Sequence, residues 1–111
     1  MRKLVVAMVC VSGVWGVESE MQFENEQVRV FKVKIEAHEE LGLHRDEFPQ
    51  VVVALRGGTM TRIEGDGSMV DVEFPKGEAV FRDADPVGQL HRSVNGTCKP
   101  MELVIVQLKG K

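Results

Sequence analysis

The sequence predicts an all-β domain, folded as a sandwich or a small barrel. Short apolar segments, roughly seven in number, alternate with turn signals every eight to twelve residues or so. No segment carries apolar residues at a convincing helical period. At 111 residues the chain is long enough for one domain with a single modest core.

The predicted strands follow one another along the chain and end at glycine, proline or asparagine turns. They are VRVFKVKIEA, QVVVALRG, TMTRIE, MVDVEF, EAVFRD, LHRSV and MELVIVQL. In the first of them the apolar phase slips between Val30 and Phe31, which predicts a β-bulge there. The segment at 50–57 is apolar on both faces, so we expect it in the middle of a sheet or between two layers. Gly65-Asp66-Gly67 predicts a hairpin between the two strands that flank it.

The first residues predict a secretory signal peptide at 1–16, followed by a single domain at 17–111. A basic pair at positions 2 and 3 precedes an apolar stretch at 4–11, and Gly16 is a small residue suited to cleavage. A buried first strand and a membrane anchor are the alternatives. The apolar stretch is shorter than the roughly 20 residues of a spanning helix, which argues against a stable membrane span. The sequence therefore favours a periplasmic or secreted protein.

Removal of this segment would leave an acidic chain. Two of the 14 basic residues lie within it, so 12 would remain against 17 acidic residues, a formal charge of −5. Such a surface does not favour nucleic acid or anionic lipid as partners. Cleavage would also remove Cys10, so no intrachain disulfide is expected in the mature chain.

Polar side chains near the middle of the chain are candidate metal ligands. His44 and Asp46 are two residues apart, so they share a face of an extended segment, and Gln50 has the same parity. His91 follows much later, on a strand that an antiparallel fold can bring alongside. Two imidazoles and one carboxylate bind Fe(II) and related ions while leaving coordination positions open. Chance placement of three histidines in a small chain is the alternative.

The segment PVGQLHRSVN, residues 86–95, resembles the second motif of the cupin superfamily. That motif is P-x-G-x-x-H-x-x-x-N, and its defined positions are Pro86, Gly88, His91 and Asn95. The first cupin motif expects H-x-H, then a glutamate, then a glycine. Here the corresponding residues are His44-Arg45-Asp46, Gln50 and Gly57. The spacing of the motif is kept, but Asp46 stands at the second histidine position and Gln50 at the glutamate position. The resemblance covers about residues 28–108.

The resemblance implies a cupin-type jelly roll, the double-stranded β-helix barrel, with a divalent metal inside. It places His44 and His91 at two metal-binding histidines of the family, Asp46 at the other histidine and Gln50 at the glutamate. One carboxylate remains to attract a cation. Ligand types alone do not choose among Fe, Mn, Ni and Zn.

The implied function is that of a metal-dependent dioxygenase or isomerase with a small-molecule substrate. A non-catalytic domain that binds a small ligand or is purely structural is the alternative, and the changes at Asp46 and Gln50 favour it. The resemblance also implies a homodimer, for which the polar N-terminal segment and VRVFKVKIEA could supply the edge strand. A monomer whose edge is protected by Arg29, Lys32 and Lys34 is the alternative.

Other residues have more ordinary expected roles. By parity Arg45 and Glu47 face away from Asp46 and would form a solvated rim. Asn95 precedes a glycine, so a turn-forming role is expected. Arg56 and Arg62 either enter the barrel and hold an anionic substrate or lie on the surface.

Overall fold

The structure is a computed structural model and describes residues 18–110. This part of the chain contains nine β-strands and no helix. The strands are β1 (Glu18–Glu24), β2 (Val28–Ile35), β3 (Glu40–His44), β4 (Gln50–Arg56), β5 (Gly58–Glu64), β6 (Met69–Phe74), β7 (Ala79–Arg82), β8 (His91–Asn95) and β9 (Met101–Leu108). The prediction of an all-β domain is confirmed. The predicted signal peptide at 1–16 lies outside the described residues.

The strands form two antiparallel sheets that face each other. One has the order β1-β2-β9-β4-β7 and the other the order β3-β8-β5-β6. The chain passes repeatedly from one sheet to the other, for example from β2 to β3 and from β6 to β7. β4 lies between β9 and β7, as its two apolar faces predict. Among residues 18–110, no helix is long and apolar enough to cross a membrane.

The core lies between the two sheets and is built mainly from alternate residues of β2, β4 and β9, together with residues of β5 and β6. In β2, for example, Val33 and Ile35 are buried, whereas Lys32 before them is exposed and Lys34 between them is only partly buried. Met60 from β5 and Leu103 from β9 complete the contact across the layers. Burial of an aliphatic side chain of this size stabilises the fold by about 1.5–3 kcal/mol. The alternation therefore fixes which residues of each strand face the interior.

Two strands were not predicted from the sequence. β1 has the polar sequence ESEMQFE and is exposed along its whole length, so no apolar pattern indicates it. The register irregularity lies between Met21 and Phe23 of this strand, opposite Val30 and Phe31. The predicted bulge in β2 is therefore wrong, because the extra residue lies in the partner strand. β3 is short, and its central residues Gly42 and Leu43 are exposed.

Cys98, in the connection between β8 and β9, is disulfide-bonded in the full-length chain. The expectation that the mature chain has no intrachain disulfide depends on removal of residues 1–16 and stays a prediction.

Asn95 fixes the connection between β8 and β9. Its buried side-chain amide donates hydrogen bonds to the backbone carbonyls of Ile35, Glu36 and Lys99, at 3.1, 3.2 and 2.8 Å. Its side-chain oxygen accepts hydrogen bonds from the backbone amide and hydroxyl of Thr97. The expected turn-forming role is present, and the side chain also ties the end of β2 to this turn.

Candidate metal centre

Strand pairing brings two of the predicted ligands together. His44 ends β3, and its Cα pairs with that of His91 at the start of β8. The two imidazole centroids lie 4.4 Å apart, with ring planes inclined by 57°. Asp46 follows two residues after His44 in the connection to β4. The predicted juxtaposition of two imidazoles and one carboxylate is therefore present. The two histidines are separated by 46 residues of sequence, and the antiparallel pairing of β3 with β8 brings them together.

The distances within this cluster suit a shared cation. Nε2 of His44 lies 3.5 Å from Oδ1 of Asp46, and Nε2 of His91 lies 3.6 Å from Oδ2 of the same carboxylate. One ligand atom from each residue lies within 4.8 Å of the others. Ligands about 2.0–2.2 Å from a metal are separated by about 3–3.5 Å, depending on the geometry. Both pairs are also longer than an ordinary N–H···O hydrogen bond, so the donor set fits a divalent ion.

The surroundings of each imidazole leave Nε2 available as a ligand. Nδ1 of His44 lies 2.6 Å from the carbonyl oxygen of Gly42, which accepts a hydrogen bond from the Nδ1–H group and so leaves the lone pair on Nε2. Nδ1 of His91 lies 3.2 Å from Oδ2 of Asp85. That contact is not a hydrogen bond, so this buried nitrogen has no hydrogen bond within residues 18–110. The nearby carboxylate nevertheless favours a proton on Nδ1 and a ligating Nε2.

Asp85 holds the site together and was not predicted from the sequence. Its carboxylate accepts hydrogen bonds from the Asp46 amide and from Nη2 of Arg62, both at 2.8 Å. Its own amide donates to the carbonyl of Asp46, also at 2.8 Å, and its carbonyl accepts from Nη1 of Arg45 at 3.0 Å. Arg45 is thus a half-buried anchor of this loop, whereas a solvated rim position was expected. The one sequence feature that could have indicated a role for Asp85 is its position directly before the PVGQLH motif.

The electrostatics of the cluster differ between the two histidines. The neighbouring Asp46 carboxylate raises the pKa of His44, with a smaller contribution in the same direction from the Gly42 carbonyl. Burial lowers the pKa of His91, and the nearby Arg62 guanidinium adds to that effect. Burial alone would raise the pKa of Asp85, but the hydrogen bonds from Asp46 and Arg62 outweigh it and lower this pKa. His91 is therefore poised as the neutral, ligating form.

The cluster opens into a cavity of about 280 Å³ between the two sheets. The inner part of the cavity is apolar and is lined by Val33, Ile35, Val52, Met60, Val72, Phe74, Leu103 and Ile105. Gln50 lines the cavity from the sheet opposite His44 and His91, because the chain passes from one sheet to the other between β3 and β4. No measured contact tests its predicted role as a ligand, which stays a prediction.

Arg56 and Arg62 were each expected either inside the barrel or on the surface, and the structure places one in each location. Arg62 lines the cavity, but its guanidinium is occupied by ion pairs with Glu64 and Asp85 at 2.5 and 2.8 Å. Arg56 is exposed on the outside of β4, 4.0 Å from Glu102. Neither is therefore a cation available to an anionic ligand in the cavity.

The chain is similar to solved cupin structures. A cupin domain from Bordetella pertussis Tohama I gives a TM-score of 0.73 at 24% sequence identity, over 86% of this chain and 95% of that chain. An uncharacterized conserved protein with a double-stranded β-helix domain from Klebsiella pneumoniae gives 0.63 at 17% identity, over 100% and 93%. An RmlC-like cupin family protein from Methanocaldococcus jannaschii gives 0.62 at 15% identity, over 84% and 80%. No protein-family profile and no curated protein matches the sequence.

These similarities show that the chain has the cupin fold, a small double-stranded β-helix barrel. The predicted fold class is confirmed. At such low identities the similarity concerns the fold alone, and the chemistry of the site has to be argued from His44, Asp46 and His91 themselves.

Proposed function

We propose that this small cupin-fold protein binds one divalent metal ion through His44, Asp46 and His91, and that open coordination positions of the metal face a small molecule in the barrel. The observation that carries the proposal is the convergence of the three ligand atoms within 4.8 Å beside a largely apolar cavity. Polar groups beside an apolar cavity are costly to desolvate unless they have a partner, and a cation supplies one.

The identity of the metal follows only in part from the ligands. Two imidazoles and one carboxylate suit Fe(II), Mn(II), Ni(II) and Zn(II). Three protein ligands leave positions for water, substrate or O₂, which is the arrangement of a catalytic rather than a closed structural site. Gln50 lies on the opposite wall of the cavity, and its role as a further ligand stays a prediction.

Metal content tests the metal site directly. The protein is purified, reconstituted with each of the four metals, freed of excess ion and analysed for bound metal. We expect about one ion per chain in the wild type and a loss of nearly all of it in His91→Ala. The matched control is His38→Asn, which removes an imidazole outside the cluster and keeps a residue that tolerates the positive φ of 59° at this position. Equal metal content in wild type and His91→Ala contradicts the proposal.

Within this proposal the protein is a metal-dependent dioxygenase or isomerase of a small molecule. A vacant coordination position beside a dry cavity supports chemistry in which the metal polarises or activates a bound oxygen. Turnover that requires the added metal, and that disappears in His91→Ala, is the expected result in a screen of small organic acids, sugars and phenolic compounds.

A non-catalytic domain that binds a small ligand is the second candidate function. The observation that favours it is the replacement of two expected family ligands by Asp46 and Gln50. Thermal unfolding distinguishes the two candidate functions. A metal ion that binds one site of the folded protein at 100 times its dissociation constant increases the free energy of unfolding by about 2.7 kcal/mol. No increase in Tm with any of the four metals, together with an increase caused by a small organic ligand, favours the non-catalytic function.

We also propose that the protein is exported to the periplasm or secreted, on the basis of the first 16 residues. N-terminal sequencing of protein from the native compartment tests this, and a mature chain that starts near residue 17 is expected. A chain that retains Met1 in the cytoplasm contradicts it.

A further inference from the structure

One wall of the cavity carries a row of polar side chains that the metal site does not account for. The Cα of Gln50 in β4 pairs with that of Arg82 in β7 on one side and with that of Gln107 in β9 on the other. All three side chains line the cavity. The next inward row on the same strands is apolar, since Val52 pairs with Val80 and Ile105. The polar row therefore marks the outer end of this wall.

The metal cluster occupies the corresponding end of the facing sheet. His44 and His91 form a cross-strand pair at the ends of β3 and β8, whereas the residues that follow inward are Leu41 and Ser93. Two facing sheets lie about 10 Å apart. A ligand between the walls is thus bounded by the metal cluster on one side and by the polar row on the other.

Arg82 is the cation of this row and is available to a ligand. Its side chain makes no hydrogen bond or ion pair with any residue from 18 to 110, and it is half-buried at the edge of its sheet. The other arginine of the cavity, Arg62, is already neutralised by Glu64 and Asp85. Gln107 accepts a hydrogen bond from Nη1 of Arg29 at 3.4 Å through its side-chain oxygen, so its NH₂ group remains a donor.

We propose that Arg82, with the amides of Gln50 and Gln107, binds the carboxylate of a small monocarboxylic acid, and that the other end of this acid reaches the metal cluster. This inference rests on the proposed function and names its substrate class. A single uncommitted guanidinium matches a carboxylate in charge and in its bidentate geometry. A phosphate dianion would call for a second uncommitted cation, and the described cavity lining offers none. The apolar inner lining and a volume of about 280 Å³ suit an acid with a small apolar body.

The test measures binding of benzoate and butanoate, each against its uncharged amide, to the metal-free protein kept in chelator. Ligand-observed NMR titration gives the dissociation constants. We expect saturable binding of the acids, at least tenfold weaker binding of benzamide and butanamide, and a loss of at least tenfold in acid affinity in Arg82→Met. Methionine preserves the apolar stem, and circular dichroism together with thermal unfolding verifies that the variant is folded.

Arg56→Met is the matched control, because Arg56 is an exposed arginine on the outside of the same sheet region. It is expected to bind the acids as the wild type does. Equal affinity of Arg82→Met and Arg56→Met, equal affinity for acid and amide, or no saturable binding of either acid overturns the proposal. Metal content separates this result from the metal site, since Arg82→Met is expected to retain the metal that His91→Ala loses.

Discussion

The Asp85 carboxylate touches three parts of the candidate metal centre at once. It accepts hydrogen bonds from the Asp46 backbone amide and from the Arg62 guanidinium, and one of its oxygens lies 3.2 Å from Nδ1 of His91. Hydrogen-bonded carboxylates behind a ligating histidine fix its tautomer and orientation. Asp85 is thus a positioning residue, because none of its atoms is among those that converge on the proposed ion.

Replacement of Asp85 tests this role. We expect Asp85→Asn to weaken metal binding about 10- to 100-fold, as removal of such a partner does in other metal sites. Competition with a chromophoric chelator measures the affinity. Asp83→Asn, which changes an exposed aspartate two residues away, is the control and is expected to leave the affinity unchanged. A lower Tm with unaltered metal affinity would show that Asp85 only supports the loop.

Glu39 provides a pH-dependent contribution to stability far from the metal cluster. Burial raises the pKa of its carboxyl above the ordinary value of 4.5, although its hydrogen bond from the Glu36 amide works in the opposite direction. The folded state therefore binds this proton more tightly than the unfolded state. Its contribution to stability falls as the pH rises from near 4.5 through the raised pKa of the folded state.

Glu39→Gln removes this charge and keeps a carbonyl oxygen that can accept the Glu36 amide. We expect the variant to exceed the wild type in stability at about pH 7, and the difference to shrink as the pH falls toward about 4. Urea unfolding at several pH values measures it. Glu47→Gln, at an exposed position, serves as the control. A stability difference that is constant with pH would contradict the assignment.

At the scale of elements, the strands from β4 to β9 follow the apolar segments of the sequence closely. β4 and β9 are found within a residue of the predicted QVVVALRG and MELVIVQL, because both are long apolar segments bounded by turn residues. β1 could not be found in this way, since its side chains are exposed on both faces and, within residues 18–110, the one strand that pairs with it is β2. A polar edge strand carries no period in hydrophobicity for a sequence pattern to reveal.

The β8–β9 connection depends on one buried amide, that of Asn95. We expect Asn95→Ala to lower the free energy of unfolding by more than about 2 kcal/mol, because it leaves backbone carbonyls at Ile35, Glu36 and Lys99 without their donor. Asn95→Asp is expected to be at least as destabilising, because a carboxylate cannot donate to these carbonyls. Chemical denaturation measures both. A loss below about 1 kcal/mol in both variants would show that water replaces the lost donor.

At the scale of the whole molecule, β1 projects from the barrel as an exposed edge. Every residue of the strand is exposed, including Met21 and Phe23, and among the described strands only β2 pairs with it. The described chain is elongated, with extents of 44 × 34 × 23 Å. An exposed edge strand with apolar side chains is a template for pairing with another chain.

We expect the protein to form a homodimer through β1, as small cupins are expected to do. Sedimentation equilibrium over a range of concentrations measures the state of association. The double substitution Met21→Glu and Phe23→Glu is expected to shift the protein toward the monomer. Val70→Glu, at an exposed valine of β6 at the edge of the other sheet, is the control and should leave association unchanged. A wild-type monomer at all concentrations would contradict this expectation.

The sequence alone determined the fold class and three side chains that converge. Alternating apolar residues define strands wherever one face is buried, and the resemblance of PVGQLHRSVN and of His44-x-Asp46 to cupin motifs indicated the barrel and the candidate metal site before any distance was known. These features are local, so they can be found in a few neighbouring residues.

Only the tertiary structure decided what surrounds those ligands. Asp85 lies beside His91, and Arg82 beside Gln50, because strands distant in the sequence pair in one register, and register is fixed by the burial of the whole sheet. The same packing neutralised Arg62 and left Arg82 available to the cavity. Charge pairing of this kind depends on distances between elements, which no single segment of the chain contains.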